Sequence, residues 1–393
     1  MTCDAVRAPV MKGEPAVVEG DLTEGPMSRH PLRLPDGMPT GVGSFLGGSM
    51  TNRWTFLVLM TASLSCAHPH EAPKTSSGAP VSDGRDAVLE TLLQGVVAEH
   101  DGTVGVSVLH LGTGARASVH GNSRLPMMSV FKLPLAVVAL TRIQQGSLRF
   151  EQQVPITEPE LRPGVSPIAE AWEKGERSPT LETILRRTLQ DSDNTGGDKL
   201  VSLLGGGPAI TTGLRTFGLL GIDVAEQEIE IFARVHCPGD TAPAQGWTFP
   251  AIRACPDQAP AVHLAAARRE IDSSPNAATA DSLVAMLAML ETDKILTSTH
   301  RTWLKDTLAG TTTGPARLKG KLPAATRVEH KTGTGETIQG LTIATNDVGV
   351  VTLPNGERFA IAVLTAGSRR DVAGREGVIA ALARVAWDRF AAH

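Results

Sequence analysis

Strand-like patterns occur only towards the two ends of the folded part of this chain, with a long and mostly helical stretch between them. Two short runs, 105–111 and 115–119, flank the turn Gly112-Thr113-Gly114 and predict a hairpin. Three more, 327–334, 341–353 and 359–366, come at the other end, the last two separated by the turn Pro354-Asn355-Gly356. The two sets predict one five-stranded antiparallel sheet built from both termini, flanked by helical patterns at 86–100 and 371–390. Asn346 and Asp347 sit awkwardly in a strand. Between the sets lie a buried-looking helix at 129–145, stopped by Gly146, and a helical section at about 180–290 interrupted by an excursion at 221–262. The expected architecture is α/β and two-lobed. An α/β lobe (86–125 and 300–391) faces an all-α lobe (126–299), with functional residues in the cleft between them.

Composition narrows the functions open to such a fold. The 393 residues are 41% hydrophobic and 20% charged, enough for a sizeable core. A net charge of −4 without a long basic run argues against nucleic acid as a partner. There is no tyrosine, so no mechanism resting on a tyrosine base is available. Four cysteines without C-x-x-C and 11 scattered histidines predict no metal site and no cofactor. Arg53 precedes an uncharged apolar run, 54–64, that is too short to span a membrane and exits through Ser65-Cys66-Ala67. Residues 50–67 therefore read as a signal peptide starting at Met50, giving a periplasmic or secreted product. A lipid-anchored Cys66 is the alternative, although Ser63 stands where such signals usually have Leu. Residues 1–49 read as an upstream extension or disordered arm, and 68–85 as a linker. In an oxidising compartment, Cys237 and Cys255 are expected to form a disulfide; two buried thiols are the alternative.

Three motifs carry the chemistry, each present once. In Ser129-Val130-Phe131-Lys132, a hydroxyl and an amine three residues apart share a helix face, near an N-terminus whose dipole faces the site. The serine needs a base, and a lysine serves only when neutral; burial and a second cation such as Lys331 both push it that way. In Ser192-Asp193-Asn194, the first residue suits a proton relay, Asp193 suits a loop brace and Asn194 suits a substrate amide; the plainer reading is a helix N-cap. In Lys331-Thr332-Gly333-Thr334, charge and hydroxyls suit a carboxylate, and Gly333 leaves the strand backbone open to a ligand. The N–H groups of Ser129 and Thr334 would make an oxyanion hole.

In this order the motifs resemble those of class A serine β-lactamases over about 86–391, and the stretch around Arg317 and 331–335 is most similar to the PER-type extended-spectrum branch. The resemblance implies the serine β-lactamase/penicillin-binding-protein fold. It implies hydrolysis of β-lactam amides through a serine acyl-enzyme by a monomer that needs only its small-molecule substrate. The deacylating carboxylate is then expected at Glu228, with Glu226 and Glu230 as competitors, and Arg317 is expected to help hold the substrate carboxylate. The acylation base is Lys132 or Glu228. Two departures stand out: Phe232 replaces an Asn that helps hold the hydrolytic water, and Val165 replaces an aromatic residue at the cleft rim. The same fold would also suit a D,D-peptidase, a glutaminase or a non-hydrolytic penicillin sensor.

Overall fold

Residues 84–239 and 242–392 are described by a computed structural model, all within the unit Ser77–His393. The expected extension, signal peptide and Cys66 lie outside the described residues. The chain begins with α1 (Ala87–Ala98), β1 (Thr103–His110), β2 (Arg116–Val119) and a two-residue β3 (Leu125–Pro126). A tight 3₁₀ turn (Met128–Phe131) then leads into α2 (Lys132–Gln144). The middle is helical: α3 (Pro167–Glu173), α4 (Leu181–Gln190), α5 (Asn194–Leu203), α6 (Gly207–Arg215), α7 (Glu228–His236), α8 (Phe249–Arg253), α9 (Pro260–Ser273), a short β4 (Ala277–Ala278), α10 (Ala280–Leu290) and α11 (Ser298–Ala309). The chain closes with β5 (Val328–Thr334), β6 (Thr337–Ile338), β7 (Leu341–Thr352), β8 (Arg358–Ser368) and α12 (Val372–Ala391).

The sheet runs β2-β1-β8-β7-β5, all antiparallel, so β1 from the first end pairs with β8 from the last, Val106 opposite Val363. The two-residue β6 adds a further short pairing on β7. Side chains alternate across β8, as strand geometry requires. Phe359, Ile361 and Val363 enter the core shared with α1 and α12, while Ala360, Ala362 and Leu364 face the core shared with the helical lobe. Helix α1 is capped by Asp86, which accepts from Leu89 N at 3.0 Å, and buries Leu89, Leu93 and Val97 at a spacing of four. Helix α2 is buried all round from Lys132 to Thr141; each wholly buried Leu there contributes roughly 1.5–3 kcal/mol over an exposed one.

Three expectations change. The 129–145 helix does not begin at Ser129, which lies in the 3₁₀ turn; α2 starts at Lys132. Helices α9 and α10 pack on β7 and on β1 and β8, so the boundary at 299 assigns too much to the helical lobe. Their apolar spacing reveals a buried face but not what covers it. Excursion 221–262 contains α7 and α8. Asn346 and Asp347 are tolerated in β7 because both are fully buried and hydrogen-bonded. Asn346 donates to Pro126 O (2.8 Å) and Met127 O (3.0 Å), tying the sheet to the segment before Ser129. Asp347 accepts from Leu318 N (3.1 Å) and faces His330 Nδ1 (2.9 Å).

Candidate active site

The 3₁₀ turn, the start of α5, the start of α7 and β5 converge on one cavity of about 190 Å³, whose walls include Ser129, Ser192, Asn194, Glu228, Thr332 and Thr334. Two non-glycine residues beside it hold left-handed backbone, Met128 (φ 45°) and Ser192 (φ 62°). Such conformations carry strain and persist where surrounding contacts enforce them.

The centre is Lys132 Nζ, wholly buried. Four oxygens surround it: Asn194 Oδ1 at 2.6 Å, Ser192 O at 2.8 Å, Glu228 Oε2 at 2.9 Å and Ser129 Oγ at 3.2 Å. An ammonium has three N–H groups, so four acceptors outnumber its donors. Loss of a proton to Glu228 would leave a lone pair able to accept from the Ser129 hydroxyl. That hydroxyl also lies 3.5 Å from Glu228 Oε1. Gly197 on α5 permits this packing, because a Cβ there would stand 2.9 Å from Lys132 Cε.

Ser192 Oγ accepts from Lys331 Nζ at 2.9 Å, and Lys331 also donates to Thr332 O at 2.9 Å. Burial pushes the Lys331 ammonium well below its usual range, and the charge of Lys132 pushes the same way against Glu228 and Asp347. Asp193 is both N-cap and brace: it accepts from Gly196 N (2.8 Å), Ile168 N (2.7 Å) and the Ser166 hydroxyl (3.0 Å). Burial raises its carboxyl despite those donors and Lys132. The N-cap reading and the site reading of this motif are therefore compatible. Arg317 is buried against β5, donating to Gly333 O (3.1 Å), Asn346 O (3.0 Å) and Thr334 Oγ1 (2.7 Å), and pairs with Glu376 at 3.0 Å. Gly333 has a different reason from the one expected. A Cβ there would run into the backbone carbonyl of Met127 and lie 3.1 Å from Val130 N, so its bareness lets the turn holding Ser129 press against β5.

The three alternating glutamates go separate ways. Only Glu228 enters the cavity; Glu230 accepts from Gln227 N (2.7 Å) in a capping box, and Glu226 pairs with Arg234. Two residues missed in the sequence position Glu228. Asp198 accepts from Glu228 N (2.6 Å) and Ile229 N (3.1 Å), and its charge is met by Arg162 Nε at 2.6 Å. Burial raises the Asp198 carboxyl, and Arg162 opposes that. The available signal was spacing: Asp198 stands four residues after Asn194 on one helix, hence on the same side.

The model of the beta-lactamase enzyme family matches residues 88–390. The chain belongs to that family. It is 30% identical to Beta-lactamase VEB-1 of Pseudomonas aeruginosa over 299 residues, covering 76% of this chain and 89% of the relative. It is 29% identical over 307 residues to the extended-spectrum beta-lactamase PER-1 of the same organism, covering 78% and 88%. The crystal structure of the TLA-1 extended-spectrum beta-lactamase superposes with a TM-score of 0.64 at 28% identity, covering 77% of this chain and 98% of that one. A beta-lactamase from Chitinophaga pinensis superposes with a TM-score of 0.64 at 31% identity, covering 77% and 99%. The fold is that of class A β-lactamases.

Of the two departures, Phe232 lies on α7 beside the disulfide and Val165 lies just before α3. Cys237, at the C-cap of α7, is disulfide-bonded to Cys255, just beyond α8. Phe232 lines a second, mainly apolar chamber of about 320 Å³ that shares Asn194, Glu228 and Thr334 with the catalytic cavity. Val165 stands at the catalytic cavity's rim, 56% exposed, which leaves that entrance thinly walled.

Proposed function

We propose that the protein hydrolyses the β-lactam amide through an acyl-enzyme on Ser129, an activity that confers β-lactam resistance. The observation that carries this reading is the placement of one hydroxyl between an amine and a carboxylate. Ser129 Oγ lies 3.2 Å from Lys132 Nζ and 3.5 Å from Glu228 Oε1. As Oγ attacks the lactam carbonyl carbon, its proton passes to Lys132 or Glu228, the two groups in reach. The oxyanion is assigned to the N–H groups of Ser129 and Thr334. Cleavage of the C–N bond needs a proton on nitrogen, and Ser192, which accepts from Lys331, relays it. Thr332, Thr334, Arg317 and Lys331 would receive the substrate carboxylate, and Asn194 its side-chain amide. Glu228 then takes a proton from water, the resulting oxygen attacks the ester carbonyl, and Ser129 leaves with its proton restored. The apolar run at 54–64 and the Cys237–Cys255 disulfide support action after export, in an oxidising compartment.

Nitrocefin turnover followed by stopped-flow absorbance and intact-mass spectrometry tests this. The unaltered protein is expected to turn over without a lasting adduct, and Glu228→Gln to accumulate one on Ser129. A lasting adduct in the unaltered protein supports a peptidase or sensor instead.

A further inference from the structure

The apolar chamber beside the catalytic cavity has walls from two elements that are far apart in sequence. One is α7, through Phe232 and Val235; the other is the segment after β5, through Gly335 and Glu336. In depth, apolar packing joins α7 to β7 in a cluster holding Ile231, Val235 and Ile343, with Ile338 of β6 against it. At the outer end the link is polar. His236 Nε2 lies 2.8 and 3.0 Å from the two carboxylate oxygens of Glu336. Among the described residues, this is the sole hydrogen bond or ion pair joining α7 to residues 334–340. The imidazole also lies against the Phe232 ring, with centroids 4.0 Å apart, so one side chain contacts both walls.

We propose that His236 and Glu336 form a latch that fixes the width of this chamber and thereby the size of the acyl side chain a substrate can carry. The inference rests on the β-lactamase reading above and adds a specificity-determining pair to it. The chamber opens onto the catalytic cavity past Asn194, Glu228 and Thr334, so a group attached beside the reacting carbonyl extends into it. Its lining of Phe232, Phe249, Ile231 and Ile343 favours apolar or aromatic groups. The pair is partly exposed, with side-chain accessibilities of 33% and 38%, so it adds little to stability but holds a position. With the latch intact, α7 cannot draw away from the strand to admit a branched or multi-ring group. Without it, no hydrogen bond or ion pair among the described residues ties the outer end of α7 to residues 334–340.

Two penicillins on one nucleus test this: benzylpenicillin, with a phenylacetyl group, and piperacillin, with a longer branched acyl group. The readout is the ratio of kcat/KM for piperacillin to that for benzylpenicillin. Glu336→Ala leaves the His236–Phe232 stack in place and is expected to raise the ratio by about tenfold, the scale on which a hydrophobic pocket senses a methylene. His236→Ala is expected to raise it at least as far. The exchange His236→Glu with Glu336→His restores a facing pair and is expected to bring the ratio back down. Unchanged ratios in both single variants, or an exchange variant that stays as permissive as they are, overturn the latch. If the unaltered protein hydrolyses neither penicillin, the functional reading itself fails, which is a separate result.

Discussion

Asp198→Asn isolates the anchoring of Glu228, the carboxylate proposed for deacylation, from the carboxylate itself. Asp198 is 1% exposed and accepts from Arg162 Nε, Glu228 N and Ile229 N. Asparagine keeps the shape but loses the charge and one acceptor oxygen. The guanidinium of Arg162, 8% exposed, is then left facing an amide, although it keeps bonds to Pro159 O and Gln227 Oε1. Breaking a buried pair in this way costs about 3–5 kcal/mol. In a domain of this size each kcal/mol moves Tm by roughly 2 °C, so thermal unfolding should fall by roughly 6–10 °C. A second consequence is kinetic. The Glu228 backbone loses its anchor, and a displacement of about 1 Å costs on the order of a hundredfold in rate. Single-turnover measurements should show deacylation slowed far more than acylation. Arg162→Met added to Asp198→Asn removes the orphaned charge, so the double variant should unfold at a higher temperature than Asp198→Asn alone. A double variant whose losses simply add would refute the buried-pair argument. Equal slowing of both steps would refute the positioning argument.

Three further outcomes are expected. Cys237→Ala with Cys255→Ala releases a loop with a sequence separation of 18, worth about 3 kcal/mol of unfolded-chain entropy, and calorimetry should show a lower Tm, with deacylation slowed because α7 loses its C-terminal tether. The folded state depresses the Lys331 pKa below its ordinary 10.5, so between the two values the native protein holds fewer protons than the unfolded one and stability falls as pH drops from about 10 towards the folded value. Lys331→Met removes that slope, so its Tm relative to the unaltered protein should be most favourable near neutrality and decline towards pH 10; a constant difference would oppose the assignment. Gly333→Ala should abolish most acylation while leaving circular dichroism native, because the new methyl meets the Met127 carbonyl and forces the Ser129 turn from β5.

Much of the site was legible because its spacing rules survive changes in local geometry. Ser129 and Lys132 are three residues apart, and that brings them together even though the nucleophile sits in a 3₁₀ turn rather than in α2. The alternating strand patterns at the two chain ends sufficed to place both sets in one antiparallel sheet, while the pairing of β1 with β8 is seen only in the fold. Glu228 was harder. Glu226, Glu228 and Glu230 are spaced by two, which in a strand would put all three on one side; the family resemblance favoured Glu228, whereas the residues alone show only that at a helix start the three diverge, with Glu230 suited to a cap. The placement of α9 and α10 on the sheet was not legible, since helical period shows that a face is buried and not against what. The reason for Gly333 was also hidden, because it depends on a carbonyl two hundred residues away in the chain.

What these observations share is a dependence of the chemistry on where α7 is held. Lys132 is wholly buried and is held by Ser192 O, Asn194 and Ser129 as well as by Glu228, whereas Glu228 occupies the first turn of a nine-residue helix within the excursion. So short a helix is marginal by itself and takes its position from its attachments. Asp198 holds its first N–H groups, the disulfide holds its end, and His236 holds its outer side to the segment after β5. Phe232 contributes no polar group towards water, so the hydrolytic step depends on Glu228 being placed correctly by those attachments. It follows that lesions at Asp198 and at the disulfide should slow release of the acyl group more than its formation, since release relies on Glu228 while Ser129 has both Lys132 and Glu228 in reach.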